Sequence, residues 1–105
     1  MTTTLLMDES LAGFEEGASK AAAMLKALAN EKRLMILCKL LEHGEMGVMA
    51  LSAEVGLSQS ALSQHLARMR EEEIVAFRRD AQQTFYHVAD PRIVRVLSTL
   101  KSIFC

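Results

Sequence analysis

A single glycine divides two runs of helically spaced apolar residues in the middle of this chain. Val48, Leu51 and Val55 recur at steps of three and four, Gly56-Leu57-Ser58-Gln59 interrupts them, and Leu62, Leu66 and Met69 resume the period. That spacing puts each set on one stripe of a helix. Gly56 supplies the conformational freedom of a tight turn, and Ser58 stands where the N-cap of the second helix belongs. Helix, short glycine turn, helix predicts a helix-turn-helix over about 47–72, with Met46 to Val55 as its first, short amphipathic helix.

The flanks fit the same plan. After the acidic run Glu71-Glu72-Glu73, β-branched and aromatic residues take over: Ile74, Val75 and Phe77, then Thr84, Phe85, Tyr86 and Val88. They predict a two-stranded hairpin, a wing, over about 74–88, with a polar, basic tip from Arg78 to Gln83 and Asp80 as the turn residue. Asp90-Pro91 reads as N-cap and first helical residue of a last helix over about 91–104, with Ile93, Leu97, Leu100 and Phe104 on one face. Upstream, Phe14, Ala18, Ala21, Leu25 and Leu28 form the stripe of a helix over about 12–28. Asn30 then caps a helix carrying Leu34, Leu37, Cys38 and Leu41, which Gly44 ends. The fold class is therefore mainly α with a small β-hairpin (α+β): a winged helix-turn-helix of about five helices plus a two-stranded wing. With 105 residues, one domain over 1–105 is expected. The apolar stripes of the first and last helices exceed what one small core needs, which predicts a homodimer.

A net charge of -1 excludes a bulk polycation but not nucleic-acid binding, because position decides phosphate contact. From Ser58 to Arg70 there are two arginines and no acids. Taking Leu62 as the inward reference, Ser60, Ser63, Gln64, Ala67 and Arg68 occupy the outer arc of the second helix. That small, hydrogen-bonding surface suits the major groove, where Gln bonds adenine, Ser donates or accepts, and Arg grips guanine or phosphate. The candidate DNA-binding residues are Ser58, Gln59, Ser60, Ser63, Gln64, His65, Arg68, Arg78, Arg79 and Gln83. Arg78 and Arg79 would reach phosphates or the minor groove, the alternative being a solvated hairpin tip. His65 falls about 60° off the inward reference, at the core edge, and reads foremost as a packed or locally bonded residue. Lys32 and Arg33 read equally as phosphate contacts or solvated cations.

The opening MTTTLLMDES has no basic segment followed by an apolar run and a cleavage site, and no apolar stretch reaches the length of a membrane span. A cytoplasmic protein without a membrane partner is expected. Two cysteines in a reducing compartment are packing, metal or redox residues before they are a structural disulfide. Cys38, between Leu34 and Leu41 on the apolar arc, is expected to be at least partly buried.

LKALANEKRLMILCKLL, LSQSALSQHLARMREEEIV and FRRDAQQTFYHV, in this order, resemble the ArsR/SmtB family of bacterial winged helix-turn-helix repressors from about Ala18 to Cys105. Cys38 in ILCKLL and Cys105 after SIF match the cysteine positions of its dithiol, reactive-sulfur (persulfide) sensing subgroup, the BigR/SqrR-like and HlyU-like regulators. The resemblance implies a transcriptional regulator that binds double-stranded operator DNA as a homodimer, with Cys38 and Cys105 as redox-sensing residues. It further implies that reactive sulfur species link the two thiols by disulfide or polysulfide and so change DNA affinity. Metal sensors of the family carry a Cys-x-Cys type motif near the first helix of the helix-turn-helix, or His and acidic ligands along the last helix. Glu54 and Val55 stand where such thiolates belong, and the last helix has no His. No cofactor and no metal site are therefore expected.

Other readings remain beside this one. The same thiols suit arsenite or another soft ion. A non-inducible winged-helix regulator, or an interaction module that kept the fold without operator recognition, needs neither thiol. Ser58, Ser63, His65 and Asp90 supply the residue types of a hydrolase triad, but no nucleophile elbow or oxyanion site accompanies them, so no enzyme is expected.

Overall fold

A computed structural model describes residues 3–105 of the chain, with side chains from residue 13 onward. Residues 1 and 2 of the opening stretch read above for a leader lie outside the described residues. Contacts group the chain into two units, one holding the helix α1 (Thr3–Leu28) and the other spanning Glu31–Cys105. In α1 the predicted stripe residues Phe14, Ala18, Ala21 and Leu25 are exposed.

The second unit contains α2 (Glu31–His43), β1 (Met46–Gly47), α3 (Val48–Val55), α4 (Gln59–Glu71), β2 (Val75–Asp80), β3 (Gln83–Val88) and α5 (Pro91–Phe104). Its core is apolar throughout. Ile36, Leu37 and Leu40 of α2, Leu51 and Val55 of α3, Leu62, Leu66 and Met69 of α4, and Ile93 and Leu97 of α5 are buried. Val75 and Ile74, just ahead of the sheet, close the same core. Removing a large apolar side chain from such a site costs about 2–5 kcal/mol, so these residues fix the arrangement of the four helices.

The turn between α3 and α4 is built as its sequence requires. Gly56 ends α3 in the left-handed region at φ 67°, and its amide donates to the Ser52 carbonyl at 3.0 Å. The Leu57 amide reaches the same oxygen at 3.3 Å, while Ser52 Oγ donates to the Leu57 carbonyl. Ser58 then caps α4, its Oγ accepting from the Ala61 amide at 3.1 Å. At the other predicted cap, Asp90 accepts from the Arg92 amide at 2.9 Å, and Pro91 occupies the first turn of α5.

Three features differ from the sequence reading. The wing is a three-stranded antiparallel sheet, ordered β1-β3-β2, rather than a two-stranded hairpin. The additional strand is Met46–Gly47, read as helix, and it pairs with Tyr86 and Phe85 of β3. Two residues carry no period of their own, so only this distant pairing makes them a strand. The hairpin turn lies at Ala81-Gln82, because Asp80 still pairs with Gln83, and Ala81 itself takes φ 56°. Finally, Cys38 is exposed. Nearly every position of LMILCKLL is apolar, so the stripe was ambiguous, and the buried arc centres between Ile36, Leu37 and Leu40, about 150° from Cys38 at 100° per residue.

None of the described helices is long and apolar enough to cross a membrane. Nothing lies within 4 Å of a side-chain carbon built on Gly56, so Gly56→Ala meets backbone strain alone. It should lower the unfolding free energy by about 1 kcal/mol, and Ser58→Ala by a similar amount, each seen as a lower urea midpoint at unchanged slope.

Candidate nucleic-acid interface and thiol pair

Helix α4 presents two unlike faces. Leu62, Leu66 and Met69 are fully buried, and at the same period Gln59, Ser60, Ser63, Gln64, Ala67 and Arg68 are exposed. The reading surface predicted from sequence is thus uncovered by the chain's own residues. The first turn of α4 has no acid, and Arg68 and Arg70 stand in its last turn. Ser58 is exposed as well, though its oxygen is engaged as the cap. Ser and Gln side chains on one exposed arc offer both donors and acceptors, the chemistry that matches base edges in a major groove.

His65 lies at the edge of this surface, half-buried. Burial lowers its pKa, and the charges of Arg33 and Arg68 lower it further. It is therefore neutral at pH 7, with one ring nitrogen donating and one accepting. Arg33 is largely covered and pairs with Glu72 at 3.2 Å, whereas Lys32 is exposed.

The two wing arginines are placed differently. Successive residues of a strand point to opposite faces, so Arg78 and Arg79 cannot share a surface. Arg78 lies opposite Phe85 in the sheet, with its guanidinium 4.7 Å from that ring, and reaches past β3 to Glu45. Its Nε donates to Glu45 Oε2 at 3.0 Å and its Nη2 donates to Glu45 Oε1. This fork holds the Glu45 carboxyl below the usual carboxylate range. Arg79 shares the other face with Phe77, its guanidinium 5.9 Å from the ring. Gln83 is exposed beside the turn. Glu45 was missed in the sequence because its partner is 33 residues away, and no local period marks such a pair.

The second site lies between α2 and α5. A pocket of about 250 Å³ is lined by Cys38, Cys105 and Lys101 with the apolar Leu34, Leu97 and Phe104. Both cysteines are free thiols. Cys105 caps α5, its amide donating to the Lys101 carbonyl at 2.9 Å. Although Cys38 is exposed as a residue, desolvation by its surroundings pushes its thiol pKa up, and the neighbouring Cys105 adds to this. Lys101 and Lys39 act in the opposite direction. Lys101 comes from α5 rather than from the helix that carries Cys38. Among the described residues no three His, Cys, Asp or Glu side chains gather as a metal site. Ser58 and Asp90, considered above for a triad, are both helix caps.

Comparison with known proteins adds a history to this geometry. Residues 30–76 match the family described as "Bacterial regulatory protein, arsR family". The HTH-type transcriptional regulator YgaV of Escherichia coli is 44% identical over 97 residues, covering 90% of this chain and 96% of that protein. The structure of reduced HlyU from Vibrio cholerae superposes with a TM-score of 0.82 at 43% identity, covering 89% of this chain and 97% of that one. The transcriptional repressor BigR from Xylella fastidiosa also reaches 0.82, at 36% identity, covering 91% and 97%.

Two titrations follow from the site. His65 should show a midpoint below about 6.5 in ring-proton NMR. Since folding favours its neutral form, stability from this group should fall as pH drops through about 6.5, where the unfolded chain takes up its proton first. Alkylation of Cys38 should have a midpoint above that of an ordinary thiol, and Lys101→Ala should slow the reaction at pH 8 by a few-fold.

Proposed function

The chain belongs to the arsR family of bacterial regulatory proteins, and from that premise we propose a dimeric operator-binding regulator switched by oxidation or polysulfide cross-linking of Cys38 and Cys105. Ser60, Ser63 and Gln64 read bases from α4, with Ser58, Gln59, His65 and Arg68 beside them, and the wing adds Arg79 and Gln83. Two such heads in a cytoplasmic homodimer would meet half-sites about 34–36 Å apart. Exposed apolar side chains on α1, Phe14 and Leu25, and on α5, Ile103 and Phe104, supply surface for the pairing.

The observation that carries the switch is that both thiols open into one apolar pocket between two different helices. A Cys thiolate attacks the sulfane sulfur of a small persulfide, takes that sulfur and releases the donor's thiolate. When both cysteines carry such a sulfur, the terminal sulfur of one persulfide anion attacks the protein-bound sulfur of the other and hydrosulfide leaves. A trisulfide then joins α2 to α5 with no further oxidant. Each inserted sulfur lengthens the bridge by up to about 2 Å, so a polysulfide spans separations that a direct disulfide does not tolerate. Tying α5 to α2 biases the dimer between operator-binding and released arrangements, and a coupling of about 1–3 kcal/mol changes affinity roughly 5- to 150-fold.

Operator binding before and after a persulfide donor, beside peptide mass spectrometry, tests this. Expected are a cross-linked Cys38–Cys105 peptide pair and weaker binding, both lost in Cys38→Ser. Unchanged affinity with no linked peptides would remove the sulfur switch, and release by arsenite alone would move the inducer to a soft ion. Gln64→Ala should reduce operator preference by about 1–3 kcal/mol while leaving binding to random duplex intact.

A further inference from the structure

Arg70 and Arg79 converge on one aromatic ring. The guanidinium of Arg70, at the end of α4, lies 5.1 Å from the Phe77 centroid, and that of Arg79, on β2, lies 5.9 Å from the same centroid. Both residues are exposed. Neither has a carboxylate partner among the described residues. None of the acids that follow Arg70 forms an ion pair with it among the described residues, and Glu72 instead pairs with Arg33 at 3.2 Å. Two like charges brought to one ring repel each other, and the ring compensates only part of that. Each guanidinium is left to pair with an anion from outside the chain.

The neighbouring arginine is excluded from this cluster. Arg78 points to the opposite face of the sheet, forked onto Glu45 and lying over Phe85. Glu45 immediately precedes β1, so the fork runs across β3 and ties the hairpin to the strand on its far side.

We propose that Arg70 and Arg79, flanking Phe77 on the seam between the reading helix and the wing, bind the phosphodiester backbone of duplex DNA at one phosphate each. Glu45 is a positioning residue that withholds Arg78 from the DNA backbone and braces the wing. Arg70 anchors the backbone from the helix side and Arg79 from the wing side, with Phe77 holding both side chains outstretched before DNA arrives. This assignment rests on the operator-binding reading above and divides the wing's cations between two tasks.

The salt dependence of affinity separates those tasks, because each neutralised phosphate contributes about 0.9 to the slope of log K against log salt. The probes are a duplex recovered from a random-sequence selection and a scrambled duplex of equal length. Arg70→Ala and Arg79→Ala should each flatten the slope by about 0.9 per bound protomer, while Arg70→Lys and Arg79→Lys, which keep the charge, should retain it. Arg78→Ala should leave the slope unchanged, while Glu45→Gln, which frees Arg78, should steepen it. Glu45→Gln should also speed amide hydrogen exchange at Gln82 to Thr84 by about two- to fivefold, a readout that needs no DNA.

A slope that survives loss of either Arg70 or Arg79 overturns the shared site while leaving operator recognition standing. A slope that flattens in Arg78→Ala, or that stays the same in Glu45→Gln, overturns the role given to Glu45. If the unaltered protein binds neither duplex with salt dependence, the operator reading and the phosphate site fall together, and the exchange rates alone judge the brace. Circular dichroism of each variant confirms that these exposed substitutions leave the fold intact.

Discussion

The polar face of α4 depends on the burial of the opposite one. Leu62, Leu66 and Met69 are removed from water completely, and each contributes about 1.5–3 kcal/mol relative to exposure. That anchoring fixes the rotation of the helix about its own axis. With the rotation fixed, Ser60, Ser63 and Gln64 cannot turn inward, and a set of short side chains with little packing value stays presented as one surface. The Ser52–Gly56–Ser58 turn then sets where the helix begins. The polar surface of α4 is thus inherited from hydrophobic burial and one left-handed glycine.

What was legible in the sequence was what local period or local chemistry dictates. The α3–turn–α4 unit, the Ser58 and Asp90 caps and the inner stripe of α4 each follow from residues within a few positions of one another. What escaped depends on distant partners. The strand at Met46–Gly47 exists because Tyr86 and Phe85 lie alongside it. Glu45 meets Arg78 only after the sheet has formed. Cys38 was misjudged because α2 is apolar on nearly all sides, so its period alone could not say which arc faces the core. The two cysteines, 67 positions apart by their numbers (105 less 38), come to one pocket only through the packing of α5 beside α2.

Charge in this protein is a matter of partners rather than totals. A chain of net charge -1 carries cations in unlike settings: Arg33, Arg78 and Lys39 are held by carboxylates, Lys101 is set against a thiol, and Arg68, Arg70 and Arg79 have no carboxylate partners among the described residues. Sequence composition registers all of them alike. The last group has its charge available to an outside anion, and it lies along one end of α4 and the adjoining strand.

The short strand β1 has a mechanical consequence. Gly47 is at once its last residue and the N-cap of α3, and it pairs with Phe85, midway along the wing. No flexible linker separates the wing from the first helix of the helix-turn-helix, so torque applied to one is delivered to the other without slack. The wing and α3 are therefore coupled through Gly47 itself. A displacement of α3 thus reaches the wing through one shared residue.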